Sequence, residues 1–306
     1  MTKVLVTGHT SMIGRQVVNQ LKGKSYDVVG ERVDLTSSIE CDSLFEKYSP
    51  EYVIHCAGYN GGIEFNREHP SEIFYKTAMM ALNVLNACEF YGVTKVVSIL
   101  PSCSYPAKDG LLNELEFGCG NSHPTVECHG HAKRILFDYG KQIFKQTNGK
   151  TTPVCVVSNN SFGPYDSYDI NKTKFVGGAI KKLAIAEKFN HKEVVFWGDG
   201  SPLREFVYCK DVANGIVQTL EKYNNPFDVI NIGGVEVSIK YMVTMIAAKI
   251  GYSGEIIWNT SRPNGQMRKA LDKQKMNEIL DIQFTPLNKA LDETIDWFYE
   301  NCNITE

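Results

Sequence analysis

The first half of the chain alternates short aliphatic runs with longer stretches of helical period. Lys3–Thr7 (KVLVT) predicts a buried strand, Ile13–Leu21 an amphipathic helix, and Asp27–Val29 and Tyr52–His55 two further strands. Helical period returns over Phe74–Tyr91, a strand over Lys95–Ile99, a helix over Lys133–Phe144 and a strand over Val154–Val157. This alternation predicts right-handed βαβ units: an α/β fold of Rossmann type, with a doubly wound parallel sheet covered by helices on both faces. Ligands of such sheets lie at the carboxyl ends of the strands. After Gly163-Pro164 the pattern changes. Residues 165–175 are polar and loop-like, and the later strands Val194–Trp197 and Val229–Ile232 are separated by helices of mixed length. A smaller mixed α/β lobe is expected there. Residues 1–164 plus about 207–232 then form the sheet domain, and about 165–206 plus 233–306 the smaller lobe.

Composition narrows the function classes. With 306 residues, a formal net charge of -3, 43% hydrophobic and 22% charged residues, the chain has the makeup of a globular enzyme. Neither a nucleic-acid nor an anionic-membrane partner is expected. The opening MTKVLVTGHT runs directly into a strand without the basic region and apolar core of a secretion signal, and no apolar run reaches membrane-spanning length, so a cytoplasmic protein is expected. The nine cysteines are scattered and form no CxxC pair, which favours reduced thiols over disulfides, and no metal site is expected.

The first candidate site is a dinucleotide turn. Gly8 and Gly14 take the outer positions of a GxxGxxG pattern between the first strand and first helix, with Thr10, Ser11, Met12 and Ile13 between them and Ser11 where the middle glycine would be. A pyrophosphate needs a tight turn, close backbone approach and a free helix N-terminus there. The second strand ends in Gly30 instead of the acid that holds an NAD ribose, and Arg32 follows. A guanidinium grips a 2′-phosphate in two-pronged fashion, which favours NADP(H); Glu31 on the ribose, with Arg32 a solvated charge, is the competing arrangement. Asp34 and Leu35 are spaced to meet adenine, and Ala57 and Gly58 to let the cofactor lie against the sheet ends.

A set of segments then resembles the GDP-L-fucose synthase family of extended short-chain dehydrogenase/reductases over nearly the whole chain. These are Gly61-Gly62-Ile63 with Asn66, Ser102-Cys103-Ser104-Tyr105-Pro106, Pro124-Thr125 through Ala132-Lys133, Phe162-Gly163-Pro164, Trp197-Gly198-Asp199-Gly200 with Arg204-Glu205-Phe206, and Arg268-Lys269. The resemblance implies a two-lobed enzyme that reduces a 4-keto sugar on GDP with NADPH, using a Ser, a Tyr and a Lys. Lys133 matches the Lys. His129, four residues before it, stands where the family has Tyr, and a His of ordinary pKa near 6.5 would carry a transferable proton in a substantial part of its population at neutral pH. The family's Ser falls on Pro101, leaving Ser102 or Ser104 as substitutes. Cys103 matches one of two proton carriers that epimerise carbons 3 and 5 in the family, but Lys174 occupies the position of the other, a His, so reduction without epimerisation is expected.

For the nucleotide, Asn160, Lys182, Trp197, Arg204 and Lys269 match positions that hold GDP in the family, consistent with the need of a diphosphate for cations and of a base for a flat face. The resemblance further implies a homodimer formed through Phe74–Tyr91 and Lys133–Phe144. The expected function is a GDP-linked 4-keto-sugar reductase in surface polysaccharide synthesis, with the departures pointing to an unusual sugar such as a heptose derivative. An NAD-dependent 4-dehydrogenase of a GDP-sugar and a catalytically silent nucleotide-sugar-binding protein are the alternatives.

Overall fold

The computed structural model describes residues 1–169, 172–262 and 264–305; positions 170 and 171 of the loop expected over 165–175, positions 263 and 306 of the second lobe, and the side chain of Ile63 lie outside the described residues. The chain runs β1 (Thr2–Thr7), α1 (Met12–Lys22), β2 (Tyr26–Val29), α2 (Ser38–Tyr48), β3 (Tyr52–His55), α3 (Ile63–Glu68), α4 (Pro70–Phe90) and β4 (Lys95–Pro101). It continues through β5 (Gly110–Leu112), α5 (Glu127–Gln146), β6 (Thr152–Ser158), β7 (Ser161–Phe162), α6 (Phe175–Lys188), β8 (Glu193–Trp197), β9 (Leu203–Tyr208), α7 (Cys209–Lys222) and β10 (Val229–Ile232). The last part adds β11 (Val235–Ser238), α8 (Ile239–Ile250), β12 (Glu255–Asn259), β13 (Arg268–Leu271), α9 (Gln274–Ile279) and α10 (Leu287–Asn301).

The aliphatic runs of the first half make a six-stranded parallel sheet in the order β10-β6-β4-β3-β1-β2. Their side chains alternate between two cores. Leu5, Val53, Val96 and Val157 face the side of α2, α4 and α5, whereas Val4, Ile54, Val97 and Val156 face α1 and α7. The doubly wound fold expected from the pattern is therefore present. From β1 the chain crosses to β2 on one side and then to β3 on the other, so strand order reverses at β1. The crevice this leaves at the carboxyl ends of β1 and β3 is where the Gly8 turn and Cys56-Ala57-Gly58 meet.

The second lobe is built on β9, which pairs with β11 antiparallel and with β13 and β7 in parallel, while β8 and β12 form a separate parallel pair. Its core of Ile180, Phe206, Ile246 and Phe298 lies under α6, α8 and α10, and also takes in Met12 from the start of α1. Two segments depart from the expected division. β5, inside the first expected domain, pairs with β13 of the second lobe, and Met276 and Leu280, from the second, pack into the core beneath the first sheet. β5 has only three residues and a partner far along the chain, so no local pattern marks it.

Candidate active site

The dinucleotide turn follows directly from its residues. Gly8 has φ +71, and a side chain there would lie 2.6 Å from the backbone nitrogen of Ala57; one at Gly14 would lie 2.1 Å from the carbonyl oxygen of Gly8. Only glycine fits either place. Ser11, in place of the middle glycine, caps α1, its Oγ accepting from the Gly14 amide at 3.1 Å. The groove above holds about 280 Å³ and is walled by Gly8, Thr10, Ser11, Arg32, Ala57 and Gly58. A dinucleotide fits this cradle of glycine backbone and helix N-terminus.

Three neighbours line the candidate ribose end, Gly30, Glu31 and Arg32. A side chain at Gly30 would lie 2.7 Å from the His9 ring, so no ribose-binding acid fits there. Glu31 accepts from Lys47 Nζ at 2.6 Å and Tyr48 Oη at 2.9 Å. Arg32 is exposed and bonds no described residue. The Asp34 carboxylate accepts from the Thr36 amide and hydroxyl, which makes it a turn-former before α2, and Leu35 is buried in the core beside it.

Helix α5 carries the candidate pair His129 and Lys133. His129 and Lys133 stand one turn apart on its buried face and both reach Gly58, where an added methyl would lie 3.4 Å from Lys133 Nζ and 4.0 Å from His129 Cε1. Lys133 donates to the Ala57 carbonyl oxygen at 2.7 Å, and burial pushes its ammonium down to about 8. The structure departs from the expectation of a partly protonated His129. Burial, with the charges of Lys133 and Lys174, drives the imidazole down to about 3, so at neutral pH it is uncharged. Its Nδ1 is sealed and bonds nothing. His131 faces elsewhere, its Nε2 accepting the Ser122 amide at 3.3 Å.

Of the serines, Ser104 donates to the Gly130 carbonyl oxygen at 3.1 Å and ties its loop to α5. Ser102 donates to Asn159 Oδ1 at 2.7 Å, and Asn159 in turn donates to the Lys269 carbonyl oxygen at 3.3 Å. Asn159 went unnoticed in the sequence, and nothing but its place at the end of a strand marks it. Burial raises the Cys103 thiol against the opposing charge of Lys269, and the same thiol raises Lys133 slightly against its own burial.

The nucleotide candidates separate into two groups. Arg204 on β9 and Lys269 on β13 are register partners of parallel strands, so both side chains stand on one face of the sheet. Trp197 is 58% exposed, with the guanidinium of Arg262 over its ring at 5.2 Å, a residue the sequence reading did not select. Asn160 and Lys182 instead bond the chain itself: Asn160 donates to the Glu205 carbonyl oxygen at 2.8 Å, and Lys182 to that of Val195. Lys174, the N-cap residue of α6, is exposed and acts through its charge on His129 and Asp166. Among the described residues no group of three or more His, Cys, Asp or Glu could hold a metal ion, and no helix is long and apolar enough to cross a membrane.

Comparison with known proteins gives the family. Residues 4–233 match the profile of the NAD dependent epimerase/dehydratase family. A GDP-L-fucose synthase of Dictyostelium discoideum is 32% identical over 97% of this chain and 95% of its own length. The crystal structure of a GDP-L-fucose synthetase from Naegleria fowleri bound to NADP superposes with a TM-score of 0.90, 28% identity, and coverage of 98% of this chain and 93% of that one. A GDP-6-OMe-4-keto-L-xylo-heptose reductase from C. jejuni shares the fold at a TM-score of 0.89 and 23% identity, over 98% of both chains. With a matching profile over most of its length and a nucleotide cradle in the expected crevice, the chain belongs to the NAD dependent epimerase/dehydratase family.

Proposed function

We propose that this protein is an NADPH-dependent reductase of the carbon-4 keto group of a GDP-linked keto-sugar. It acts in the cytoplasm in surface polysaccharide biosynthesis, on a sugar of which a heptose derivative is the first candidate. The observation that carries this reading is continuity: Gly58 in the wall of the dinucleotide groove meets Lys133 and His129, Lys133 feels the Cys103 thiol, Cys103 feels Lys269, and Lys269 pairs in register with Arg204. The Gly8–Gly14 turn and Arg32 would hold NADPH, which would supply a hydride. His129 hydrogen-bonds the carbonyl oxygen, Lys133 binds the nicotinamide ribose, Ser102 polarises the same carbonyl oxygen, and Arg204, Lys269 and Trp197 take the GDP. Consumption of NADPH with a small panel of 4-keto GDP-sugars, followed by mass spectrometry of the product, tests the reading; no consumption with any of them would overturn it.

Two narrower expectations follow. Arg32→Ala should weaken NADPH by roughly 10- to 100-fold and leave NADH nearly unchanged, the worth of a charge-assisted phosphate contact. Fluorescence titration with both cofactors measures it, and equal losses would place Arg32 away from the 2′-phosphate. Reduction should also proceed without epimerisation, because Lys174 replaces the second proton carrier and burial keeps Cys103 in its thiol form. A reaction run in deuterated water should give a product free of solvent deuterium at carbons 3 and 5. Label at either carbon would restore epimerisation.

The same reading pairs two copies through α4 and α5. The outer side of α4 exposes Phe74, Tyr75, Leu82 and Phe90, an apolar strip beside α5 suited to a partner helix. Sedimentation of the purified protein reports the homodimer directly.

A further inference from the structure

The register between β13 and β9 covers Arg268 with Leu203 and Lys269 with Arg204, and ends there. Backbone groups of residues two apart in a strand point the same way, so Met267, Lys269 and Leu271 all offer theirs to the β9 side of β13. β9 itself meets the first, the Leu203 amide donating to the Met267 carbonyl oxygen at 2.9 Å. Side chains meet the next two. The Lys269 carbonyl oxygen accepts from Asn159 Nδ2 at 3.3 Å, and the Leu271 amide donates to Glu205 Oε2 at 3.1 Å. Two side chains thus take over from the ladder immediately after the paired cations, and the seat of Lys269 opposite Arg204 depends on them.

The same side chains reach the other lobe. Pro101 of β4 and Ser158 of β6 are register partners, so the residues that follow them, Ser102 and Asn159, leave the first sheet side by side. Ser102 donates to Asn159 Oδ1 at 2.7 Å, and that oxygen also accepts from the Asn160 amide at 3.2 Å. A backbone amide can only donate, which fixes the oxygen of Asn159 in this place and leaves its Nδ2 aimed at Lys269. The Asn160 side chain donates to the Glu205 carbonyl oxygen at 2.8 Å and so joins Asn159 to β9. Ser102, Asn159 and Glu205 are all buried. Gly233 leaves room for the second carboxylate oxygen, since a side chain there would lie 2.6 Å from Glu205 Oε1.

We propose that Asn159 and Glu205 are positioning residues that clasp β13 between the lobes, so that one device sets both Lys269 against the diphosphate and Ser102 against the reacting carbonyl. The proposal rests on the keto-reductase function given above and adds two residues that act through others. Burial gives the clasp its weight. A backbone carbonyl or amide left unmet in the interior is costly, so loss of either side chain displaces β13, and Lys269 with it. Loss of Asn159 also frees Ser102. The seat of Ser102 is compatible with its part at the carbonyl, because a hydroxyl proton rotates about its own bond and can turn from Asn159 to an arriving oxygen.

Calorimetric titration of GDP and of NADPH, together with turnover of the keto-sugar, tests the assignment. Asn159→Ala should weaken GDP roughly tenfold, the worth of one hydrogen bond to a buried backbone group, and lower turnover as well. Ser102→Ala should lower turnover alone. Glu205→Ala should weaken GDP by a similar factor, roughly tenfold, whereas Glu205→Gln, which keeps an oxygen for the Leu271 amide, should stay within about twofold of the wild type. NADPH affinity should hold within about twofold in every variant, and Asn159→Ala carries the test should Glu205→Ala not fold. Unchanged GDP affinity in Asn159→Ala and Glu205→Ala, with only a lower melting temperature, would overturn the proposal by making both residues merely structural. A Glu205→Gln variant as weak as Glu205→Ala would overturn it too, because the acceptor would not be what matters. A further readout needs no ligand: hydrogen exchange of the Leu271 amide, followed by NMR. It should be roughly tenfold faster in Glu205→Ala than in the wild type or Glu205→Gln, and faster also in Asn159→Ala. Equal rates in all four would overturn the clasp. If the wild type neither binds GDP nor reduces a keto-sugar, the functional reading fails, and the exchange rates still decide whether Asn159 and Glu205 hold β13.

Discussion

His129→Phe lowers turnover by roughly a hundred- to ten-thousand-fold and leaves NADPH affinity within about twofold, the range expected for loss of a positioned proton carrier. The ring of Phe fills the volume that His129 occupies on the buried face of α5, so the helix and the Lys133 bond to Ala57 survive the change. What disappears is the nitrogen pair able to accept at one edge and donate at the other. His129→Tyr keeps part of the activity, because its hydroxyl restores a donor one turn from Lys133. The neighbouring His131→Phe retains turnover, since that ring serves the Ser122 amide and lies off the path. Stopped-flow measurement of NADPH consumption in the three variants checks the set. Wild-type rates in His129→Phe, or a large loss confined to His131→Phe, would move the proton to a different group.

The first sheet was legible because its strands are covered twice. Val53-Ile54 and Val96-Val97 are fully apolar pairs with one residue in each core, so the aliphatic runs stood out from their helical neighbours. The dinucleotide turn was legible because backbone conformation demands particular residues, glycine above all, at Gly8 and Gly14. The second lobe was legible as a smaller mixed α/β unit, but its strand pairings were not, because they join segments far apart in the chain: β5 meets β13, and β13 meets β9. Protonation was also out of reach. The spacing of His129 and Lys133 gives the helix turn that unites them, but the shift of His129 to about 3 depends on burial and on Lys174, which arrives from α6. Lys95 makes the same point. It reads as the polar start of a strand, yet its ammonium is buried and caps the end of α7 through the carbonyl oxygens of Thr219 and Leu220.

Arg204→Met and Lys269→Met each weaken GDP binding by roughly 10- to 100-fold, and the double variant weakens it further, by less than the product of the two. Two cations at directly paired positions of neighbouring strands repel each other when nothing lies between them. Both sit in a largely desolvated setting: burial lowers the pKa of each, and the charge of Arg204 lowers Lys269 further. Asp109 is the acidic group that opposes Arg204, and it is one charge against two. An anion bridging the pair relieves the repulsion and gains two charge-assisted contacts, which is why a diphosphate should bind here strongly. Because the partners share one ligand, the double loss should fall short of the product of the single losses. The backbone link from Asn159 to the Lys269 carbonyl oxygen is untouched by either substitution, so the path to Ser102 stays in place. NADPH affinity, set at the Gly8–Gly14 turn, serves as the internal control. Calorimetric titration of GDP into the wild type, both single variants and the double variant gives the four affinities. Unchanged binding in both single variants would place the diphosphate elsewhere, whereas a loss of NADPH affinity of the same size would mean that the substitutions had disturbed the fold.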